Sequence, residues 1–389
     1  MIYLDHNATS PLRDEAREAA ESALGIGGNA SSVHGRGRAA RAVIERAREQ
    51  VATQAGARIE DVIFTSGGSE ANALALWGAV YGAADGGARI TRLFVSAIEH
   101  ESVLANAAAL AERVAGLRLE TVPVTGDGVA DLEALRAMLR EGKGRALIAL
   151  MAANNETGVV QPIEEVAELA RDAGALFFVD CVQAAGKIAL PSADYVSLSA
   201  HKIGGPQGAG ALILREGAPF AAQILGGGQE RGRRAGTENL SGIAGFGAVS
   251  EIAVRELSEV NRIAMLRDRF EDGLKHIAAD VEIFGARSIR LANTSNFALP
   301  GVPAETALMA LDLDGVMLSS GAACSSGKVK PSHVLAAMGV GGELSRCALR
   351  ASFGWNSTEA DVIAALSSIS RLLARVHGRV QPGRPRVAA

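Results

Sequence analysis

The sequence predicts an α/β protein built around a mostly parallel sheet, followed by a smaller α+β domain. Short apolar runs alternate with helix-patterned segments over residues 15–250, which is typical of βα units. From about Ser250 onward the pattern changes to a long charged helix, followed by a mixture of strands and helices. The 389 residues suffice for two or three domains, and a composition that is 48% hydrophobic but 4% aromatic indicates a core of small aliphatic side chains.

The apolar patterns place the individual elements in chain order. In the first domain we predict helices over 15–24, 36–56, 69–81, 101–115, 131–139 and 163–173, and strands over 62–65, 93–97, 146–151, 175–179, 195–199 and 210–214. In the second we predict helices over 249–279, 304–313, 331–338 and 358–376, and strands over 281–284, 294–298 and 347–352. The tail, residues 381–389, is rich in Pro and Arg and is expected to be frayed.

Charge and cysteine usage exclude several classes of protein. The chain carries 39 basic and 43 acidic residues, a net charge of −4, which argues against direct nucleic-acid binding and against an RNA-binding role for the basic loop 230–237. Three cysteines without paired spacing predict neither disulfides nor an intrinsic metal site. The N-terminus lacks a signal-peptide pattern, and no run reaches the ~18 apolar residues of a membrane span. We therefore expect a soluble, cytoplasmic protein with no membrane partner.

Polar residues follow the predicted strands at their carboxyl ends, where open α/β sheets bind ligands. The turn Ser66-Gly67-Gly68-Ser69 opens a helix after the first strand. Its backbone N–H groups either bind a phosphate or form an ordinary helix cap. Asp180 follows an apolar strand, where a carboxylate is costly unless it is paired, either as a helix cap or with a protonated ring nitrogen.

Lys202 follows the next strand, beside His201 and before a run of glycines. Most lysines are solvated surface residues, but this setting is the one expected of a lysine that forms a Schiff base. A phosphate cradle, a buried aspartate and a strand-end lysine together predict pyridoxal 5'-phosphate as the cofactor.

Further polar residues leave alternatives open. His100 and Asn155 also follow strands. His100 is either a functional residue or an ordinary surface or core histidine, and Asn155 either binds a ligand oxygen or belongs to a polar turn. Small residues and two nearby lysines surround Cys324, which predicts an exposed loop and a reactive thiolate, whereas Cys347 fits a packing role. Arg350 lies on an apolar strand and requires a carboxylate, from either the protein or a substrate.

With these motifs in view, the chain resembles the NifS/IscS family of cysteine desulfurases in the class V aminotransferase group. The resemblance runs from Tyr3 to about Trp355 and rests on the segments 64–70, 154–161, 180–183, 199–202, 226–232 and 319–324. It implies a fold type I transferase dependent on pyridoxal phosphate, with a seven-stranded, mostly parallel sheet. It also implies a large domain over 15–250, and a small domain, formed by 1–14 and 251–380, that carries the Cys324 loop.

The resemblance implies a role for each candidate site residue. Lys202 would form the Schiff base, and the phosphate would be bound by Gly68, Ser69, Ser199 and His201, with Thr237 reaching it from the second subunit of a homodimer. Asp180 would pair with the pyridinium and Gln183 with the ring hydroxyl, while His100 would stack on the ring and transfer protons. Asn155 would contact the cofactor and help Arg350 to bind the carboxylate of L-cysteine. Ser69 replaces the usual threonine and retains its hydroxyl, and the segment 5–10 also departs from the family pattern.

The implied reaction converts L-cysteine to L-alanine. Lys202 removes the Cα proton, and Cys324 attacks the substrate sulfur and keeps it as a persulfide. The sulfur then goes to an iron–sulfur scaffold or another acceptor protein, and with a scaffold Cys324 would ligate a cluster only transiently. The alternatives are a selenocysteine lyase or another class V enzyme, which does not require Cys324, and a catalytically silent scaffold protein.

Overall fold

The computed structural model describes residues 1–320 and 331–377. Numbered along the chain, its strands are β1 (Ile2–Tyr3), β2 (Val62–Thr65), β3 (Ile90–Ser96), β4 (Arg118–Val122), β5 (Arg145–Met151), β6 (Leu176–Asp180), β7 (Tyr195–Ser199), β8 (Gly210–Leu214), β9 (Glu282–Phe284), β10 (Thr294–Ala298), β11 (Val316–Met317) and β12 (Ala348–Ser352). Its α-helices are α1 (Asp14–Leu24), α2 (Gly35–Ala55), α3 (Gly68–Asp85), α4 (Glu101–Arg113), α5 (Leu132–Glu141), α6 (Ile163–Asp172), α7 (Leu240–Arg255), α8 (Val260–Ile277), α9 (Ala304–Leu313), α10 (His333–Ala337), α11 (Gly342–Ser345) and α12 (Glu359–His377). The predicted tail, 381–389, lies outside the described residues.

A seven-stranded mixed sheet forms the centre of the larger part, with the strand order β2-β8-β7-β6-β5-β3-β4. The strands β7, β6, β5, β3 and β4 are parallel to one another, and β8 is antiparallel to both β7 and β2. This confirms the predicted mostly parallel sheet. Because β2, β5, β6 and β7 run in the same direction, their carboxyl ends meet at one edge of the sheet, as expected for a ligand site.

The strand β4 was missing from the sequence prediction, which had found the other six. It lies at the edge of the sheet, and most of its side chains are exposed or half-buried. Its sequence, Arg-Leu-Glu-Thr-Val, therefore lacks the apolar run that identifies a strand buried on both faces.

Helices cover both faces of this sheet, and consecutive strand residues point to opposite faces. Leu93 belongs to the apolar cluster under α3 and α4, whereas Phe94 belongs to the cluster under α1, α2, α5, α6 and α7. In the same way, Phe178 belongs to the cluster of Leu93, and Phe177 belongs to the cluster of Phe94. Burial on both faces explains why these strands are continuous apolar runs rather than alternating patterns.

The second part is built on an antiparallel sheet with the order β12-β10-β9. Its core includes Phe270, Phe297 and Phe353 together with apolar residues of α8, α9 and α12. Leu4 is buried in the same cluster, and β1 pairs with β11, so the N-terminal residues pack with this second part. The domain boundaries given above stay a prediction. No helix among the described residues combines the length and apolarity that a bilayer span requires.

The single helix predicted over 249–279 was wrong. α7 ends at Arg255, a 3₁₀ turn occupies Glu256–Glu259, and α8 begins at Val260. α7 packs on α1 and α2, whereas α8 packs on α12. Because a 3₁₀ turn almost preserves the helical spacing of apolar residues, the sequence pattern runs through this change of direction without a visible break.

Candidate active site

A cavity of about 1010 Å³ lies at the carboxyl ends of β2, β5, β6 and β7 and extends to β12. The structure brings together here most of the residues singled out from the sequence, namely Gly68, Ser69, His100, Asn155, Asp180, Gln183, Ser199, His201, Lys202 and Arg350. Thr237 is exposed and does not line the cavity of this chain, so its predicted contribution from a second subunit stays a prediction. Cys324 lies outside the described residues.

Lys202 lies on a 3₁₀ turn directly after β7 and is partly buried. Its Nζ donates to the carbonyl oxygens of Asn7 (2.7 Å) and Ala8 (2.8 Å). Burial and, to a smaller extent, the nearby positive charge of Arg350 lower its pKa to about 8. A lysine amine in this environment is available as a neutral nucleophile or base far closer to neutral pH than an exposed lysine.

Asp180 ends β6 and is 5% exposed. One carboxylate oxygen accepts from Nδ2 of Asn72 (2.7 Å), and the other accepts from the backbone N–H of Val182 (2.9 Å). The sequence reasoning missed Asn72. Its signal was a lone amide within the buried apolar stretch of α3, where a polar side chain requires a partner.

The turn between β2 and α3 forms a concave cradle. Gly67 has a φ of 153°, which favours glycine, and a Cβ atom on Gly68 would lie 2.7 Å from Val182 Cγ2 and 3.4 Å from Ser199 Cβ. The hydroxyl of Ser199 is buried without a hydrogen-bond partner among the described residues. A buried, unpaired hydroxyl beside a glycine turn at the N-terminus of an 18-residue helix fits a phosphate group.

His201 lies beside this cradle and its Nδ1 is 3.0 Å from the hydroxyl of Thr9. Burial, together with the charge of Lys202, lowers the pKa of His201 to about 4. The imidazole is therefore neutral at physiological pH, so it interacts with an anion by hydrogen bonding rather than by charge.

Two adjacent residues, Glu99 and His100, follow β3, and His100 lines the cavity. His100 caps α4 from an exposed position, and because its Nδ1 accepts from the backbone N–H of Ser102 (3.1 Å), a neutral ring carries its proton on Nε2. Glu99, its neighbour, is fully buried, and its pKa is raised well above the ordinary value by burial and by the charge of Asp180. Both effects favour the neutral form of Glu99.

Arg350 projects from β12 and is 4% exposed. Its guanidinium donates to the backbone oxygen of Asn155 (2.9 Å) and pairs with Asp5 Oδ1 (2.7 Å). Its Nε is buried without a partner among the described residues. Asp5 therefore supplies the protein carboxylate that a buried arginine requires. A substrate carboxylate would use the unpaired Nε or displace Asp5.

The N-terminal segment 5–10, whose role the sequence left open, contributes the remaining contacts. The backbone oxygen of Asn7 accepts from both Lys202 Nζ (2.7 Å) and Gln183 Nε2 (3.0 Å). The side chain of Asn7 donates to the hydroxyl of Thr294 (2.9 Å). This segment thus joins the lysine to the second part of the fold, which short-range sequence patterns do not reveal.

Comparison with known proteins gives the class to which this fold and site belong. The chain matches the aminotransferase class-V family over residues 2–364 and belongs to that family of pyridoxal-phosphate enzymes. It is 40% identical to the cysteine desulfurase IscS of Dictyoglomus turgidum, over 96% of this chain and 95% of the relative. It is 44% identical to a cysteine desulfurase of Cereibacter sphaeroides, over 93% of this chain and 92% of the relative. Within the class-V family, the chain therefore belongs to the cysteine desulfurases.

Solved structures agree with this assignment. A NifS-like protein superposes with a TM-score of 0.88 at 34% identity, covering 96% of this chain and 99% of that structure. A NifS-like protein from Rickettsia africae superposes with a TM-score of 0.86 at 32% identity, covering 97% and 99%. The similarity covers 96% or more of the chain and therefore extends over both parts of the fold.

Proposed function

We propose that this chain takes sulfur from L-cysteine, releases L-alanine and carries the sulfur as a persulfide on Cys324. The observation that carries the proposal is the single cavity in which Lys202 lies with Asp180 and the unpaired Ser199 hydroxyl at the strand ends, and Arg350 on the facing strand. The balance is one cysteine plus one Cys324 thiol giving one alanine plus one Cys324 persulfide. No external oxidant is required.

The cofactor would be held by residues that line the cavity. Ser199, Ser69 and the Gly68 turn would bind its phosphate, Asp180 would pair with its ring nitrogen, and Lys202 would bind its aldehyde carbon as a Schiff base. Pyridoxal phosphate, when bound, supplies an electron sink for the charge left by removal of the Cα proton. Asn72 would keep the Asp180 carboxylate oriented through its 2.7 Å hydrogen bond.

The chain's own groups would perform the proton transfers and bind the substrate. Lys202, with a pKa lowered to about 8 by burial and by Arg350, would be the base at Cα. Arg350 would bind the α-carboxylate of L-cysteine, because its Nε lacks a partner. His100, exposed at the cavity wall with its proton on Nε2, would donate and accept protons at the substrate.

The experiment that tests this function compares Cys324→Ala with Cys347→Ala, a matched loss of a thiol from the core. We expect Cys324→Ala to keep the visible absorption of the bound cofactor but to lose sulfide and alanine production from L-cysteine. We expect Cys347→Ala to keep both. Mass spectrometry should place a persulfide on Cys324 in the wild type. Full turnover of L-cysteine by Cys324→Ala would refute the proposal.

The alternatives predict different outcomes. A selenocysteine lyase or another class-V reaction would keep the cofactor band and dispense with Cys324. A silent scaffold would remain colourless after incubation with pyridoxal phosphate and would show no borohydride-fixable cofactor on Lys202.

For partners, we propose a homodimer in which Thr237 reaches the other subunit's phosphate site, and a sulfur-acceptor protein such as an iron–sulfur scaffold. A cytoplasmic location is in keeping with a free catalytic thiol. Sedimentation measures the dimer directly, and transfer of ³⁵S from the persulfide to a candidate scaffold identifies the acceptor.

A further inference from the structure

Lys187 contacts a residue of the cofactor cavity, and the proposed reaction does not use it. It lies in the turns after β6, four residues beyond Gln183, and is partly buried. Its Nζ donates to the backbone oxygen of Gln183 (2.8 Å) and lies 3.4 Å from the side-chain Oε1 of the same residue. No acidic side chain of the described residues forms an ion pair with it. Its nearest polar partner is thus a residue that lines the cofactor cavity.

The contacts of Gln183 are compatible with only one orientation of its amide. Nε2 is 3.0 Å from the backbone oxygen of Asn7, which can only accept, so the atom facing it must be the nitrogen. Oε1 then faces Lys187, which donates. Both neighbours therefore require the same orientation of the amide. The Asn7 oxygen that accepts from the amide nitrogen also accepts from Lys202 Nζ.

We propose that Lys187 is a positioning residue for the cofactor: it holds the Gln183 amide so that its N–H groups, and not its oxygen, face the cavity. This inference rests on the proposed function, because the group that receives the second N–H would be the ring hydroxyl oxygen of pyridoxal phosphate. An N–H donor at that oxygen stabilises its anionic form and thereby favours the unprotonated Schiff base on Lys202.

The surroundings of Lys187 explain how it can fill this role. Lys187 and Lys202 line a second cavity of about 370 Å³ together with the ionisable groups His6, Arg13, Glu256, Glu259 and Arg262. Glu256 is paired with Arg13, and Glu259 with Arg262, so neither acid neutralises Lys187. Burial lowers the pKa of Lys187 to about 7, with the charges of Lys202 and Arg350 adding to the effect.

The hydrogen bonds from Lys187 to Gln183 can persist when the Lys187 amine loses its proton. A neutral amine still carries two N–H groups, enough for the backbone oxygen and the side-chain oxygen of Gln183. The orientation of the amide should therefore be the same on both sides of neutral pH, and its effect should be visible throughout the pH range in which the cofactor is bound.

The test uses the cofactor-loaded protein without substrate and follows the pH titration of the visible Schiff-base absorption. We expect Lys187→Met to raise the apparent pKa of that absorption and to weaken cofactor binding about threefold to tenfold, the loss of one modest hydrogen bond. Lys187→Arg, which keeps a donor, should restore most of both properties. Lys143→Met, which removes an exposed lysine between α5 and β5, should change neither.

A double-variant cycle separates positioning from a general effect on the fold. In a Gln183→Leu background the amide is absent, so adding Lys187→Met should cause no further shift of the absorption titration. A shift of the same size in both backgrounds, or no shift in either, would overturn the inference. If Lys187→Met does not fold, as judged by circular dichroism, the comparison is made with Lys187→Ala, which also removes the donor. A wild-type protein that forms no Schiff-base absorption would instead refute the proposed function.

Discussion

The substitution Arg48→Met tests how much an ion pair with Glu230 contributes to stability. Glu230 lies in the turn Gln229–Gly232, which precedes α7. Arg48 on α2 forms a bidentate ion pair with Glu230, at 2.7 and 2.9 Å, and the two side chains are 6% and 3% exposed. Glu230 also accepts the backbone N–H of Phe64 on β2 (2.9 Å). Its φ of 46° is in the left-handed region, where a residue other than glycine must be held by its surroundings. The ion pair therefore joins this strained turn to the large sheet.

The magnitude follows from the burial of the pair. Removing one partner of a buried ion pair leaves the other charge uncompensated, which costs about 3–5 kcal/mol. Phe64 continues to donate to Glu230, so we expect the lower end, about 3 kcal/mol, or roughly a hundredfold change in the unfolding equilibrium. The exposed pair formed by Arg17 and Asp14, at 53% and 77% exposure, provides the control. Arg17→Met should cost less than about 1 kcal/mol.

Urea unfolding at one fixed protein concentration measures both variants, with the transition midpoint and slope compared with those of the wild type. Arg48→Met combined with Glu230→Gln should lose less stability than Arg48→Met alone, because the buried charge is removed while the acceptor for Phe64 remains. A cost for Arg48→Met no larger than that for Arg17→Met would refute this reasoning. So would a double variant that is less stable than the single one.

Three further predictions concern the cavity. In the cofactor-free protein, the rate of Schiff-base formation on Lys202 should rise with pH around a midpoint near 8, because the neutral amine is the nucleophile; a stopped-flow midpoint near the ordinary 10.5 would contradict this. Glu99→Gln should be more stable than the wild type at pH 7 in thermal unfolding. Because folding raises the pKa of Glu99, the stability of the wild type falls as the pH rises above the ordinary 4.5. The difference in stability between Glu99→Gln and the wild type should therefore shrink towards pH 4. A difference that does not depend on pH would argue against a protonated Glu99. Gly68→Ala should weaken cofactor binding in equilibrium dialysis, since its Cβ would lie 2.7 Å from Val182 Cγ2, whereas Gly342→Ala, with open space around its Cβ, should bind as the wild type does.

Several of the site residues that sequence reasoning found directly follow a strand. Asp180 and Lys202 each come at the end of an apolar run, and the carboxyl ends of parallel strands meet in space whatever the length of the intervening helix. Their proximity thus follows from local patterns and one general rule of sheet topology. The break between α7 and α8 was missed because a 3₁₀ turn almost preserves the spacing of apolar residues, and the edge strand β4 was missed because it lacks an apolar run.

The residues that sequence reasoning missed depend on contacts between distant segments. Asp5 pairs with Arg350 across 345 positions, and Asn72 reaches Asp180 across 108. Nothing in the sequence near Asn72 or Asp5 identifies its partner, because hydrogen bonding across such separations is set by how helices and sheets pack.

By itself, the sequence determined the class of the fold, the cofactor and the lysine that would bind it, since all three depend on residue types at strand ends. Only the tertiary structure decided which other protein groups contact the residues of the site. It places Asp5 on Arg350, the backbone of Asn7 on Lys202, and Lys187 on Gln183. The physical reason is that hydrogen bonds act over about 3 Å, and such distances are fixed by the packing of the whole chain rather than by neighbours in sequence.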